Sequence, residues 1–189
     1  MAGVAVALAA MGCEVTYVAE SEMSRDRALQ GWIAPPMDGV RFVLAKSGAD
    51  VEALVESAHP HAVHICQGIR RNGLVGYAQK AIMRRHLRHW IVMETVNDSG
   101  WSGVLKRLEY SRLFARHAAG IEAVLGIGCD TPEWIVARGV SAERVFPFAY
   151  FIPRPTTHAG VDRSASISDA FRFIFVGQLV ERNQVGMLL

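Results

Sequence analysis

Short apolar runs rich in β-branched and aromatic residues recur along this 189-residue chain, and most of the segments between them hold a helically spaced stretch of roughly 10–17 residues. The runs are residues 14–19 (EVTYVA), 40–44 (VRFVL), 62–66 (AVHIC), 90–95 (WIVMET), 121–127 (IEAVLGI) and 171–177 (FRFIFVG). Strands joined through helical crossovers pair in parallel. Runs apolar almost throughout, rather than alternating, belong to a sheet covered on both faces. The fold class that follows is α/β, a parallel sheet with helices on both faces. Helices are expected over 2–11, stopped by Gly12, and over 49–58, 74–89 and 101–117. A last one runs from 130 to 138, with Asp130 as cap, Pro132 early and Gly139 at its end. Residues 21–38, with Trp32, Pro35 and Pro36, read as an irregular excursion.

A helix, a glycine and a strand at the start lack the strand that ought to come before them, so the expectation is a first domain over 1–150 whose first strand is missing. Residues 151–170 carry Pro153 and Pro155 among polar and small residues and read as a linker. Residues 171–189 read as a stub of a second α/β domain. Apolar residues make up 51% of the chain and charged ones 20%, enough for a core and too little charge for disorder. The formal net charge of +2 lacks the basic excess of a nucleic-acid binder. No apolar run reaches the ~18 residues of a membrane span, and the apolar start has no basic leader. Cys13, Cys66 and Cys129, an odd set beside apolar runs, read as buried free thiols in a reducing, cytoplasmic compartment.

Several groups have chemistry to offer. In 94–100, Glu94, Asn97 and Asp98 follow a strand and can orient a substrate hydroxyl or withdraw its proton; equally, Asp98 or Ser99 can cap the next helix. Gly177 ends a strand before a helix, where backbone amides can meet a phosphate, or where an ordinary strand-to-helix turn suffices. Gly126-Ile-Gly-Cys-Asp-Thr131 lacks a third glycine and reads as a strand-to-helix turn or a support at the cleft. His59, His61 and His64 alternate across a turn and a strand, while His86 and His89 share a helix with arginines that repel a cation, so no metal site is expected. Arg70, Arg71, Lys80, Arg84, Arg85 and Arg88, with Lys106, Arg107, Arg112 and Arg116, suit either peripheral contact with an anionic membrane or a solvated outer face. The segment offers no basic–aromatic stacking platform for RNA.

Residues 173–189 (FIFVGQLVERNQVGMLL) resemble the opening of the C-terminal domain of family-four, B-type glycosyltransferases, in which two Rossmann-like domains face each other across a cleft. Residues 7–18 are similar to that family's first helix and second strand, 62–66 to its "valine-histidine" strand, and 123–128 through 138–147 to the last part of its N-terminal domain. The order of these segments is the family's order. The resemblance implies retaining transfer of a hexose from a nucleotide-sugar donor to a glycan or lipid-linked acceptor, with no metal or other cofactor and no nucleic-acid partner. It places Gly177, Gln178, Arg182 and Asn183 on the donor side and His64, Asn97 and Gly100 on the acceptor side, with Glu94 and Asp98 as the catalytic candidates. A cytoplasmic location is expected, with the inner surface of the membrane as the alternative that the basic cluster leaves open.

The chain departs from the pattern where the donor diphosphate is held. The family's arginine falls on Gln178, its lysine on Asn183 and the following glycine on Gln184, so two cations are absent, with Arg182 beside them. Residues 95–98 stand where the family often has a histidine. The chain by itself is therefore expected to be inactive. Two other readings stay open: a non-catalytic relative acting as a binding module, and a different nucleotide-binding α/β domain. The latter would carry a glycine-rich fingerprint followed about 20 residues on by an acid, and none is found.

Overall fold

A computed structural model describes residues 1–151 of the chain. The expected linker over 151–170, apart from its first residue, and the expected second domain over 171–189 lie outside the described residues, as do Gly177, Gln178, Arg182 and Asn183.

Four strands form one parallel sheet in the order β3 (Val63–Gln67), β4 (Arg88–Glu94), β5 (Ala123–Ile127) and β6 (Val145–Phe148). A separate parallel pair joins β1 (Thr16–Ala19) to β2 (Arg41–Leu44). The helices are α1 (Ala2–Ala10), α2 (Arg25–Leu29), α3 (Gly48–Ser57), α4 (Gly73–Arg84), α5 (Gly100–His117) and α6 (Thr131–Val136). The result is a Rossmann-like α/β arrangement.

Register decides which side chains meet. Cys66 stands opposite Ile91, Ile91 opposite Val124, and Val124 opposite Val145, so these four share one sheet face. On that face Ile91, Met93 and Val124 pack with Tyr110 and Phe114 of α5 and with Trp134 and Ile135 of α6. Cys66 packs with Val55 of α3 and with Ala81 and Ile82 of α4. Each such side chain, taken fully from water, contributes about 1.5–3 kcal/mol. Gly126 lets α6 lie directly on β5: a Cβ there would meet Pro132 N and Thr131 Cγ2 at 3.2 Å. On the opposite face Val92 and Leu125 are buried, but Val63, Ile65 and Phe146 stay exposed.

The structure corrects several expectations. The helix expected over 74–89 ends at Arg84, because His86 takes a left-handed φ of 54° and turns the chain into β4. His89 is thereby a strand residue opposite His64, not a helical neighbour of His86. The excursion over 21–38 contains the short α2, capped by Ser24 Oγ, which accepts from Arg27 N at 3.4 Å. Of the three thiols expected to be buried, only Cys66 is, and burial pushes it up to about 12. Cys13 and Cys129 are exposed, because each lies in the turn beside an apolar run rather than within it. Asp130 precedes α6 without a side-chain cap bond; Thr131 instead donates its hydroxyl to Ile127 O. Much of the basic cluster is neutralised locally. Arg84 meets Glu52 at 3.1 Å, Arg85 meets Glu56 at 3.8 Å, Arg88 meets Glu122 at 3.0 Å, and Arg70 pairs with Glu109. Exposed pairs of this kind contribute little stability, about 0–1 kcal/mol each, but they remove free charge from the α4 side.

Candidate functional site

Parallel strands leave a crevice beyond their carboxyl ends, where successive loops splay apart. Here β3, β4 and β5 end at Gln67, Glu94 and Ile127, and these residues line a cavity of about 200 Å³ together with Gly68, Tyr110 and Tyr150. Gly68 makes the turn out of β3 with a φ of 72°. Its N–H donates to Val92 O at 2.8 Å, and its carbonyl accepts from Gln79 Nε2 at 2.7 Å. Gln79 is 2% exposed, so one side of the crevice is fixed from beneath by a buried amide. Tyr110 is set by an edge contact with Trp134, ring centres 5.1 Å apart, and by the Arg70 guanidinium 5.2 Å from its ring centre.

Glu94 is exposed at the crevice and accepts a hydrogen bond from the Tyr150 hydroxyl. That bond, more than burial, raises the phenol above its ordinary value, so Tyr150 remains a proton donor at neutral pH. The pair is a carboxylate with one side committed to a phenol and free lone pairs for a substrate hydroxyl.

The loop after β4 is built for rigidity. Asn97 Oδ1 accepts from Ser99 N at 3.1 Å and from Ser99 Oγ at 2.8 Å, closing an Asx turn. Lys106 Nζ donates to Asn97 O, and Arg107 to Asp98 O, each at 2.8 Å. Asp98 Oδ2 accepts from Trp134 Nε1 at 3.0 Å and from Arg138 Nη2 at 2.8 Å, with Arg107 at 3.5 Å. The indole bond and these guanidiniums hold the Asp98 carboxyl below its usual range. Neither Asp98 nor Ser99 caps α5 through its side chain; Asp98 ties the loop to α6 instead. Gly103 allows the approach, since a Cβ there would lie 1.6 Å from Asp98 O. Thr95 shares a hydroxyl–hydroxyl hydrogen bond with Thr131, the first residue of α6.

The expected site residues therefore separate. Glu94 faces the crevice; Asp98 and Asn97 are occupied in holding the neighbouring loop; Gly100, with a φ of 68°, opens α5. His64 sits near the start of β3, and its register partner His89 is five residues from Glu94, about 16 Å along the strand. Sequence reasoning missed Gln67, Tyr110, Tyr150 and Gln79. Tyr150 lies 56 residues from Glu94, and no periodic signal links them. Among the described residues no three His, Cys, Asp or Glu side chains are placed to hold a metal ion, and no helix is long and apolar enough to cross a membrane.

No family model, curated protein or solved structure matches the chain.

Proposed function

We propose that the chain carries the acceptor-side α/β unit of a B-type glycosyltransferase, which transfers a hexose from a nucleotide-sugar donor to a glycan or lipid-linked acceptor. The observation that carries this reading is the crevice at the strand ends, with the Glu94–Tyr150 pair at its edge and a floor fixed by Gly68 and Gln79. An acceptor hydroxyl would donate to Glu94 while Tyr150 shares the carboxylate. The retaining course and the absence of a metal or other cofactor come from the family resemblance, and so do Gly177, Gln178, Arg182 and Asn183 as donor contacts.

A lipid-linked acceptor is supported by the outer stripe of α5. Trp101 is 92% exposed and Leu105 70%, Leu108 lies on the same side, and Arg112 and Arg116 continue the stripe without an ion pair among the described residues. Positions 101, 105, 108, 112 and 116 fall on one helix face. A face with an exposed Trp and Leu followed by free arginines suits the surface of an anionic bilayer.

The test is ligand-observed NMR of the whole chain with uridine and guanosine diphosphate sugars, an oligosaccharide panel and NAD. Oligosaccharide binding that Glu94→Gln abolishes supports the reading; binding of NAD alone, or oligosaccharide binding indifferent to Glu94→Gln, overturns it. A second reading, a non-catalytic binding module, draws on Gln178 and Asn183, where the family has two cations. If Gln178→Arg with Asn183→Lys creates sugar-nucleotide hydrolysis in the whole protein, the parent is a decayed transferase.

A further inference from the structure

His64 and His89 stand opposite each other near the starts of β3 and β4, on the sheet face that α4 and α5 cover. His89 is 2% exposed, and His117, the last residue of α5, is 5% exposed. Among the described residues none of the four ring nitrogens of His64 and His89 has a hydrogen-bond partner, although the Ala62 and Arg88 carbonyls lie close enough to His64 to favour its proton slightly. His117 Nδ1 lies 3.4 Å from Arg71 Nη2, which also contacts Met83 Sδ at 3.2 Å. Arg71 is held there by a backbone in the left-handed region, φ 60°.

Among the described residues, none offers these imidazoles a counter-charge. From α4, Arg84 and Arg85 turn away to Glu52 and Glu56 of α3. Glu122 donates its N–H to His89 O at 2.9 Å, but its carboxylate is bound to Arg88 and Trp90, which point to the opposite sheet face. On α5, Arg116 adds positive charge beside His117. Burial lowers all three imidazoles below their ordinary value; His64, His117 and Arg71 add repulsion at His89, which falls to about 4.

We propose that the His64–His89–His117 cluster beneath Arg71 is an acid-sensitive latch, whose protonation frees the last turn of α5 from the starts of β3 and β4. The His89 imidazole, buried without an acceptor among the described residues, packs as a neutral group; once charged, it has neither a counter-charge nor access to water. Both elements released here lead to the crevice: β4 ends at Glu94, and α5 begins at the Asp98 loop. Acidification therefore loosens the site from its far end. The inference stands on the cluster's geometry and does not depend on the glycosyltransferase reading.

The sign follows from the depressed values. The opened state binds protons first, so the latch is intact at neutral pH, weakens as pH falls below the ordinary histidine value, and weakens no further below about 4. For His89 alone, the opening constant rises about 30-fold between pH 7.5 and pH 5.

Hydrogen exchange of the full chain at pH 7.5, 6 and 5, corrected for intrinsic rates, reads the latch directly. Peptides over 86–91 and 114–121 should lose protection about tenfold more than those over 123–136. Both His89→Leu and the exposed Arg71→Leu should flatten the pH profile, the first by removing a titrating group and the second by easing protonation in the folded state. Arg71→Leu carries the test should His89→Leu fail to fold. Uniform loss of protection through β5 and α6, or an unchanged profile in Arg71→Leu, overturns the latch. So does an imidazole NMR titration in which all three histidines protonate at the ordinary value.

Discussion

The two sheets make the instructive contrast. In the four-stranded sheet, Ile91 and Val124 are completely buried, with α4, α5 and α6 stacked on one face. In the β1–β2 pair no strand residue is buried, and Val18, Phe42 and Leu44 are exposed. The neighbouring α1 (AGVAVALAA) is apolar along its whole length, yet only Ala5 is buried. Apolar composition is the same kind of signal in both regions, but burial depends on how many elements converge. A segment with one neighbour stays half wet however oily it is.

Truncating an aromatic in each region probes that contrast most strongly. Phe114→Ala, which empties the centre of the larger core, should cost about 3–5 kcal/mol in urea unfolding. Phe42→Ala, half-exposed and stacked on Tyr17 with ring centres 6.0 Å apart, should cost about 1 kcal/mol. Equal losses would mean that the β1–β2 pair is as well packed as the four-stranded sheet, and the contrast would fail.

Glycine replacements sharpen it further. Gly103→Val forces a side chain into the Asp98 carbonyl, and should cost about 2 kcal/mol while displacing the loop after β4. Gly12→Ala, near the β1–β2 pair and with open space around it, meets only its left-handed φ of 87° and should cost about 1 kcal/mol. Near-UV circular dichroism separates the two, because only the first disturbs Trp134 beside Asp98.

Acid titration of Asp98→Asn gives a smaller effect. The Asp98 carboxyl lies below its usual range, so its contribution to stability is present above the ordinary carboxylate value and is lost as pH falls through the depressed one. The variant should show a lower Tm at neutral pH and a flatter Tm profile below about pH 4. A profile parallel to the wild type would mean that Trp134, Arg107 and Arg138 do not act on this carboxylate in solution.

The smallest effect on stability belongs to the outer stripe of α5. Trp101→Ala with Leu105→Ser should shift unfolding by under about 0.5 kcal/mol. The same variant should weaken co-sedimentation with vesicles containing anionic lipid by roughly tenfold, in keeping with the lost apolar contact. Unchanged sedimentation would leave the stripe without a membrane role.

Much of the sheet was legible because strand runs such as 62–66 and 90–95 differ in composition and length from the helices between them. The boundary between α4 and β4 was not. Leu87 and Trp90 continue a helical spacing past Arg84, and only the left-handed turn at His86 breaks it. Asp98 was legible as a loop carboxylate following a strand, but its partners Trp134 and Arg138 arrive from 36 and 40 residues away. Glu94 was legible at the strand end for the same local reason, whereas Tyr150 was not.

The sequence by itself determined the class of fold, since the length and spacing of apolar runs dictate parallel strands with helical crossovers. It also determined which carboxylates stand at strand ends, because that follows from local chain direction. Tertiary structure alone decided which of those carboxylates stays open to a ligand, which is spent on an indole and guanidiniums, and which histidines are shut away from water. The physical reason is that periodicity belongs to neighbouring residues along one backbone, whereas burial and pairing are set by whatever distant segment the packing brings alongside.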